Sequence, residues 1–185
     1  MTPDEVTALG ERGFFVRERF AGVEAARRAR AIVERLELRD AGVGREHAPV
    51  PSVRGDRIAW IGPSGEIHQR FEALRAEINR DAWMGLERFD VQAARYDAGA
   101  AYSSHRDAFR GGPSRRVTAI WYLNQGWVPA HGGLLRLRLD GGALELSPTL
   151  DRLVVFLSEK IEHEVLPASA PRLALTAWYY GPSAI

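Results

Sequence analysis

The strongest constraint on the fold is a hydrophobic alternation of period two. Leu135-Arg-Leu-Arg-Leu139 and Ala143-Leu-Glu-Leu146 alternate apolar and polar residues on either side of Asp140-Gly141-Gly142. That pattern describes a β-hairpin with one face on a core and the other in water. Val117 to Leu123, Arg152 to Leu157, His163 to Leu166 and Leu173 to Tyr180 read as further short strands. They lie too close together for the long helical crossovers that a parallel sheet requires. An antiparallel jelly-roll barrel is the economical outcome.

The first 85 residues obey another period. Thr2-Pro3-Asp4-Glu5 places an N-cap, a proline at the first helical position and a glutamate that closes a capping box, so a short helix is expected to end near Gly10 to Gly13. Phe14-Phe15-Val16 reads as a strand. Gly22 to about Glu37 predicts a helix whose core stripe is Val23, Ile32, Val33 and Leu36, and a second helix after Ser64 sets Ile67, Phe71, Leu74 and Ile78 on one face. Asp40 to Val53 carries glycines and prolines without periodicity, which predicts a long mobile loop, the kind of segment that closes over a site. No linker divides the chain. The expected architecture is mainly β with flanking helices: a single domain over 1–185, with helical support to about residue 85 and a double-stranded β-helix (jelly-roll) core over about 86–181.

Composition narrows the chemistry. With 25 Lys and Arg against 24 Asp and Glu, the formal charge of +1 offers no general attraction for nucleic acid or for an anionic membrane. The absence of cysteine removes disulfides, thiolate metal sites and thiol nucleophiles, leaving His and carboxylate to hold any metal. The N-terminal residues lack the basic stretch and apolar run of a signal peptide, and the longest later apolar run, Leu153 to Leu157, cannot span a bilayer. A cytoplasmic protein is expected.

His105-Arg106-Asp107 sets an imidazole and a carboxylate two residues apart, on one face of an extended segment. The tripeptide alone is common. A second histidine, His163, follows a strongly apolar strand, and two His with one carboxylate form the facial triad of non-haem Fe(II) oxygenases, with three metal positions left open. Nine residues later comes Arg172, across a turn holding Pro167 and Pro171; a buried arginine there suits a bidentate grip on a carboxylate. Tyr122 and Thr176, on neighbouring strands, add hydroxyl donors.

These residues carry a family resemblance. The stretches Arg54 to Trp60, Tyr96 to Asp107, Val117 to Trp127, Gly132 to Arg136, Asp151 to Phe156, and His163 to Pro167 through Arg172 to Trp178 resemble the 2-oxoglutarate and Fe(II) dependent dioxygenases. Within them the chain is most similar to prolyl hydroxylases of the oxygen-sensing type and their bacterial relatives. The resemblance implies His105, Asp107 and His163 as iron ligands; Arg172 and Tyr122 on the far carboxylate of 2-oxoglutarate, with Thr176 in support; and Tyr96 reaching toward the cosubstrate. It implies Arg54, Asp56, Arg115 and Trp178 as substrate-facing residues. The implied reaction consumes 2-oxoglutarate and O2, with ascorbate as reductant, and hydroxylates a prolyl residue in an exposed loop of a protein, giving succinate and carbon dioxide. Tyr96 and Tyr102 stand one residue closer than in the animal enzymes. The chain also stops at Ile185 without the helix those enzymes place after the last strand, so a larger folded partner is expected as substrate.

Two other readings compete: the same chemistry on a free amino acid or other small molecule, and a jelly-roll module that holds metal without turnover. Among the remaining residues, His47 and His68 read as ordinary exposed histidines and His131 as structural. Arg54-Gly55-Asp56 reads as an ion pair holding the loop, and Trp60, Trp121 and Trp178 as core packing.

Overall fold

Thr2 caps α1 (Pro3–Glu11) through the expected capping box: its side chain accepts from the Glu5 amide, and the Glu5 carboxylate accepts from the Thr2 amide. The computed structural model describes residues 1–43, 48–50, 52–108 and 115–181; His47 therefore lies outside the described residues. After β1 (Phe14–Arg17) comes α2 (Val23–Val33), then the short strands β2 (Arg39–Asp40), β3 (Gly42–Val43) and β4 (Ala48–Pro49), followed by β5 (Arg57–Ile61) and α3 (Gly65–Ala82). The rest is strand: β6 (Arg88–Tyr96), β7 (Tyr102–His105), β8 (Arg115–Tyr122), β9 (Leu135–Leu139), β10 (Gly142–Leu146), β11 (Leu153–Leu157), β12 (Glu162–Val165) and β13 (Arg172–Tyr180).

Two antiparallel sheets form the jelly roll. The larger has the order β1-β11-β8-β13-β6-β5-β2, and the smaller has the order β10-β9-β12-β7. Successive residues on a strand point to opposite faces, and the large sheet buries both. On its outer face Phe15, Trp121, Val155 and Leu175 meet Phe71, Leu74 and Ile78 of α3. On its inner face Phe14, Ile120, Val154 and Ala174 meet Leu135, Leu137 and Val165 of the smaller sheet. Leu153 to Leu157 is thus a continuous apolar run because it has no wet side. The β9–β10 hairpin does have one, where Arg136 and Arg138 pair with Glu145 and Glu164.

Three expectations need correction. Helix α2 buries Ala25, Ala26, Ala29 and Val33, while Val23 and Ile32 stand about two-fifths exposed, because the helix turns its small-residue face to the core. The segment expected to be a long mobile loop over Asp40 to Val53 carries some pairing among its described residues: β2 joins β5, β3 joins β4, and just beyond it Arg54 bridges to Tyr102. Trp60 is 58% exposed instead of core-packed, although Trp121 is fully buried. The amino-terminal region also does more than support the barrel, since β1 closes one edge of the large sheet and β5 with β2 the other. Among the described residues no helix is long and apolar enough to cross a membrane.

Candidate active site

Strand pairing assembles the metal centre. His163 on β12 is the direct Cα partner of His105 at the end of β7, and the two rings lie 4.3 Å apart. Asp107 follows β7 and turns its buried carboxylate between them, with Oδ1 3.7 Å from His105 Nε2 and Oδ2 3.8 Å from His163 Nε2. One ligand atom from each residue falls within 4.8 Å of the others.

The donor set fits a divalent transition ion. His105 Nδ1 lies 2.8 Å from the Ser103 carbonyl, which can only accept, so the proton sits on Nδ1 and the Nε2 lone pair faces the centre. His163 Nδ1 faces the Ile161 carbonyl in the same sense at 3.4 Å. Burial, reinforced by His163, pulls the His105 imidazole down to about 4, so it is a neutral ligand at pH 7. Burial pushes the Asp107 carboxyl up, but His163, His105, Thr118 and Arg115 outweigh it and hold the group below its ordinary value. A buried carboxylate faced by the Nε2 atoms of two imidazoles is a donor set for a cation, and nitrogen with oxygen donors suits iron.

A second charge sits in the same cavity. Strand alternation projects Arg172, Ala174, Thr176 and Trp178 of β13 from one face, and all four line a space of about 1410 Å³ with His105, Asp107 and His163. Arg172 is 1% exposed, and among the described residues no carboxylate pairs with it. Its Nε donates to the Gly133 carbonyl at 2.8 Å and its Nη2 to the Tyr122 hydroxyl at 3.3 Å, while the guanidinium lies about 5 Å from the Tyr96 and Tyr122 ring centres. Burial holds both phenols protonated, so Tyr122 remains a donor. An arginine buried without an acid is costly unless a ligand brings the anion. Gly133 makes room for it: at φ +61 its absent Cβ would stand 3.2 Å from Arg172 Cδ and 2.9 Å from Ala168 Cβ.

Arg54, Asp56, Arg115 and Trp178, the residues expected to face a substrate, line the same cavity. Arg54 is clamped by both Asp56 oxygens, at 2.7 and 3.0 Å, and by Gln92 at 2.9 Å. Asp56 is buried beneath that contact. Arg54 also lies 4.8 Å over the Tyr102 ring, which stacks on His105 at 3.8 Å. Arg115 lies 4.5 Å over Trp178, which packs at 5.9 Å against Trp60, and the buried Trp178 Nε1 has no hydrogen-bond partner among the described residues. His68 stacks on Phe89, and His131 packs against Trp127; neither reaches the centre. The sequence reading assigned no role to Tyr102, Gln92, Gly133 or Thr118. Only strand parity could have found Thr118, which shares a face with Ile120 and Tyr122.

Comparison with known proteins agrees with this geometry. Residues 91–180 match the 2OG-Fe(II) oxygenase superfamily. A human prolyl hydroxylase, EGLN3, is 34% identical over 154 residues, covering 76% of this chain; the chain spans 62% of that relative's length. A Pseudomonas putida prolyl-4-hydroxylase structure is 36% identical, with a TM-score of 0.88 over 99% of this chain and 100% of the other. A Trichoplax adhaerens prolyl hydroxylase, solved with a peptide fragment of the hypoxia inducible factor oxygen degradation domain, is 26% identical at a TM-score of 0.83, covering 95% and 87%.

Proposed function

The chain belongs to the 2OG-Fe(II) oxygenase superfamily, prolyl hydroxylase type, and we propose that it hydroxylates a prolyl residue in a protein substrate. The observation that carries the 2-oxoglutarate-dependent part of this reading is the buried Arg172, without an acid partner among the described residues, in one cavity with the His105, Asp107 and His163 cluster. A metal-holding module has no use for such an arginine.

Iron(II), with 2-oxoglutarate and dioxygen, supplies the oxidation: one oxygen atom enters a C–H bond, the other enters succinate, and carbon dioxide leaves. The residues of this chain supply position and exclusion. His105, Asp107 and His163 would hold the ion. Arg172 and Tyr122 would fix the far carboxylate of the cosubstrate by charge-assisted hydrogen bonds, so that the 2-oxo acid end has one orientation. Ile120, Leu135, Val165 and Ala174 give the cavity apolar walls that keep water from the reacting end.

A protein substrate is favoured by the Trichoplax relative, solved with a peptide fragment, and by an exposed aromatic side chain lining the cavity. Trp60, 58% exposed and lining the cavity, offers flat apolar surface for a pyrrolidine ring. Proline suits the chemistry because its ring loses little freedom when held. The test is incubation of the protein, Fe(II) and 2-oxoglutarate with proteome of the source cell. A +16 Da mark on prolyl residues of one or a few proteins is expected, dependent on 2-oxoglutarate and lost in His105→Ala. Hydroxylation of free proline or another metabolite, with no protein marked, would establish the small-molecule reading instead.

A further inference from the structure

Asp107 is held from behind by two hydroxyls that the proposed reaction does not use. Thr118 on β8 and Ser158 just after β11 both have no exposed surface. Thr118 Oγ1 donates to Asp107 Oδ2 at 2.7 Å, and Ser158 Oγ lies 2.9 Å from Thr118 Oγ1. An ionised carboxylate only accepts, so the single Thr118 proton goes to Asp107 and Ser158 must donate to Thr118. The chain of donors therefore runs one way, Ser158 to Thr118 to Asp107.

We propose that Thr118, backed by Ser158, is a positioning residue that restricts Asp107 to one-oxygen coordination and so keeps a third metal position open to the reactants. The inference rests on the metal-centre reading above. A carboxylate can bind through one oxygen or through both. With Oδ2 committed to Thr118, Oδ1 on the His105 side is the oxygen left to the metal. The count of positions gives this its importance. In an octahedral ion, three protein ligands leave three places, two for the 2-oxo acid end of the cosubstrate and one for dioxygen. A two-oxygen aspartate would take the last of them.

Core filling does not account for the pair. Thr118 lies on the inner face of β8 with Ile120 and Tyr122, opposite Phe156 on β11. Valine and alanine would fill the same space without burying two hydroxyls, which is unfavourable unless each is hydrogen-bonded.

Titration of the purified full chain with Co(II) alone reads the effect, by affinity and by the d–d absorption bands that report coordination number. Thr118→Val is expected to weaken Co(II) binding about 10–100-fold, the usual effect of removing a partner of a metal ligand, and to alter the bands. Thr118→Ser, which keeps the hydroxyl, is expected to restore both. Ser158→Ala, which leaves Thr118 in place, is expected to shift the same bands and weaken binding severalfold, and it carries the test if the valine variant does not fold. Wild-type affinity and bands in folded Thr118→Val, or in Ser158→Ala where the valine variant is unfolded, would overturn the proposal while leaving the metal centre intact. A wild-type chain that takes up no Co(II) would overturn the metal centre itself, and the proposal with it.

Discussion

Arg172 and Tyr96 are direct cross-strand partners on β13 and β6, and the guanidinium rests 5.0 Å from the centre of the phenol ring. The ring covers one side of a fully buried cation whose hydrogen bonds run to a backbone carbonyl and a second phenol. Among the described residues no carboxylate neutralises that charge, which suits the side chain to an anionic ligand in the cavity.

Replacing Arg172 therefore separates the two halves of the site. Arg172→Ala is expected to cost about 2–5 kcal/mol of 2-oxoglutarate binding, at least about 30-fold in Kd, with a much smaller effect on metal affinity. Arg172→Lys recovers only part, because an ammonium lacks the planar fork. Calorimetric titrations of 2-oxoglutarate and of Mn(II) check both. Equal losses in the two would mean that the cosubstrate end has been misplaced.

The His105→Ala, His163→Ala double variant is expected to lose stoichiometric metal while keeping the fold. Wild-type protein should bind one divalent ion, with Mn, Ni or Zn able to replace iron in purified samples. Metal binding should raise Tm in wild type through mass action and leave the double variant unmoved. Metal analysis and thermal melts provide the measurement, and full occupancy in the double variant would refute the assignment.

Gly133→Ala tests the cradle behind Arg172. The position combines φ +61 with contacts of 2.9 Å to Ala168, 3.1 Å to Trp127 and 3.2 Å to Arg172. A methyl group there is expected to destabilise the fold by about 1–3 kcal/mol and to weaken 2-oxoglutarate binding by displacing the guanidinium. Gly126→Ala, which shares a positive φ of +66 but whose Cβ meets nothing within 4 Å, is the matched control: it carries the backbone strain alone and should leave 2-oxoglutarate binding unchanged.

Acid stability tests the anchor of α1. Glu5 accepts from Arg17 at 2.7 and 2.8 Å; burial pushes its carboxyl up, but Arg17 and the Thr2 amide outweigh this and hold it below the ordinary 4.5. A depressed folded-state pKa stabilises above the unfolded value and stops doing so as pH falls through the folded value. Glu5→Gln should thus be less stable than wild type at pH 7 by about 1 kcal/mol, with the gap closing below pH 4.5. A gap that stays constant down to pH 3 would remove the ion pair from the account.

Where local pattern decides structure, the sequence was readable. The capping box at Thr2, the β9–β10 hairpin and the α3 stripe all follow from neighbours within a few residues. The pairing of His105 with His163 was also within reach, since alternation fixes the face and few strands were available to meet. What escaped depends on distance along the chain. Helix α2 packs through Ala25, Ala26 and Ala29, and a search for large apolar residues selected Val23 and Ile32, which face outward. The short strands after Arg39 pair with partners such as β5, and Arg54 meets Tyr102 nearly fifty residues on, so their own residues carry little sign of order. Thr118 and Ser158 are ordinary residues until the fold sets them behind Asp107.

The closure of the large sheet by β1 has a consequence for biosynthesis. Phe14 pairs with Phe156, so β1 leaves the ribosome about 140 residues before its partner is made. At roughly 5–20 residues per second that strand waits on the order of ten seconds. During this time Phe14, whose inner-face partners Ile120, Val154 and Leu135 come later, has no native surface to cover it, whereas Phe15 can meet α1 and α3 earlier; the edge of β11 is still unmade. The nascent chain is expected to be most vulnerable to aggregation, and most dependent on chaperones, until the last hundred residues bring the sheet together.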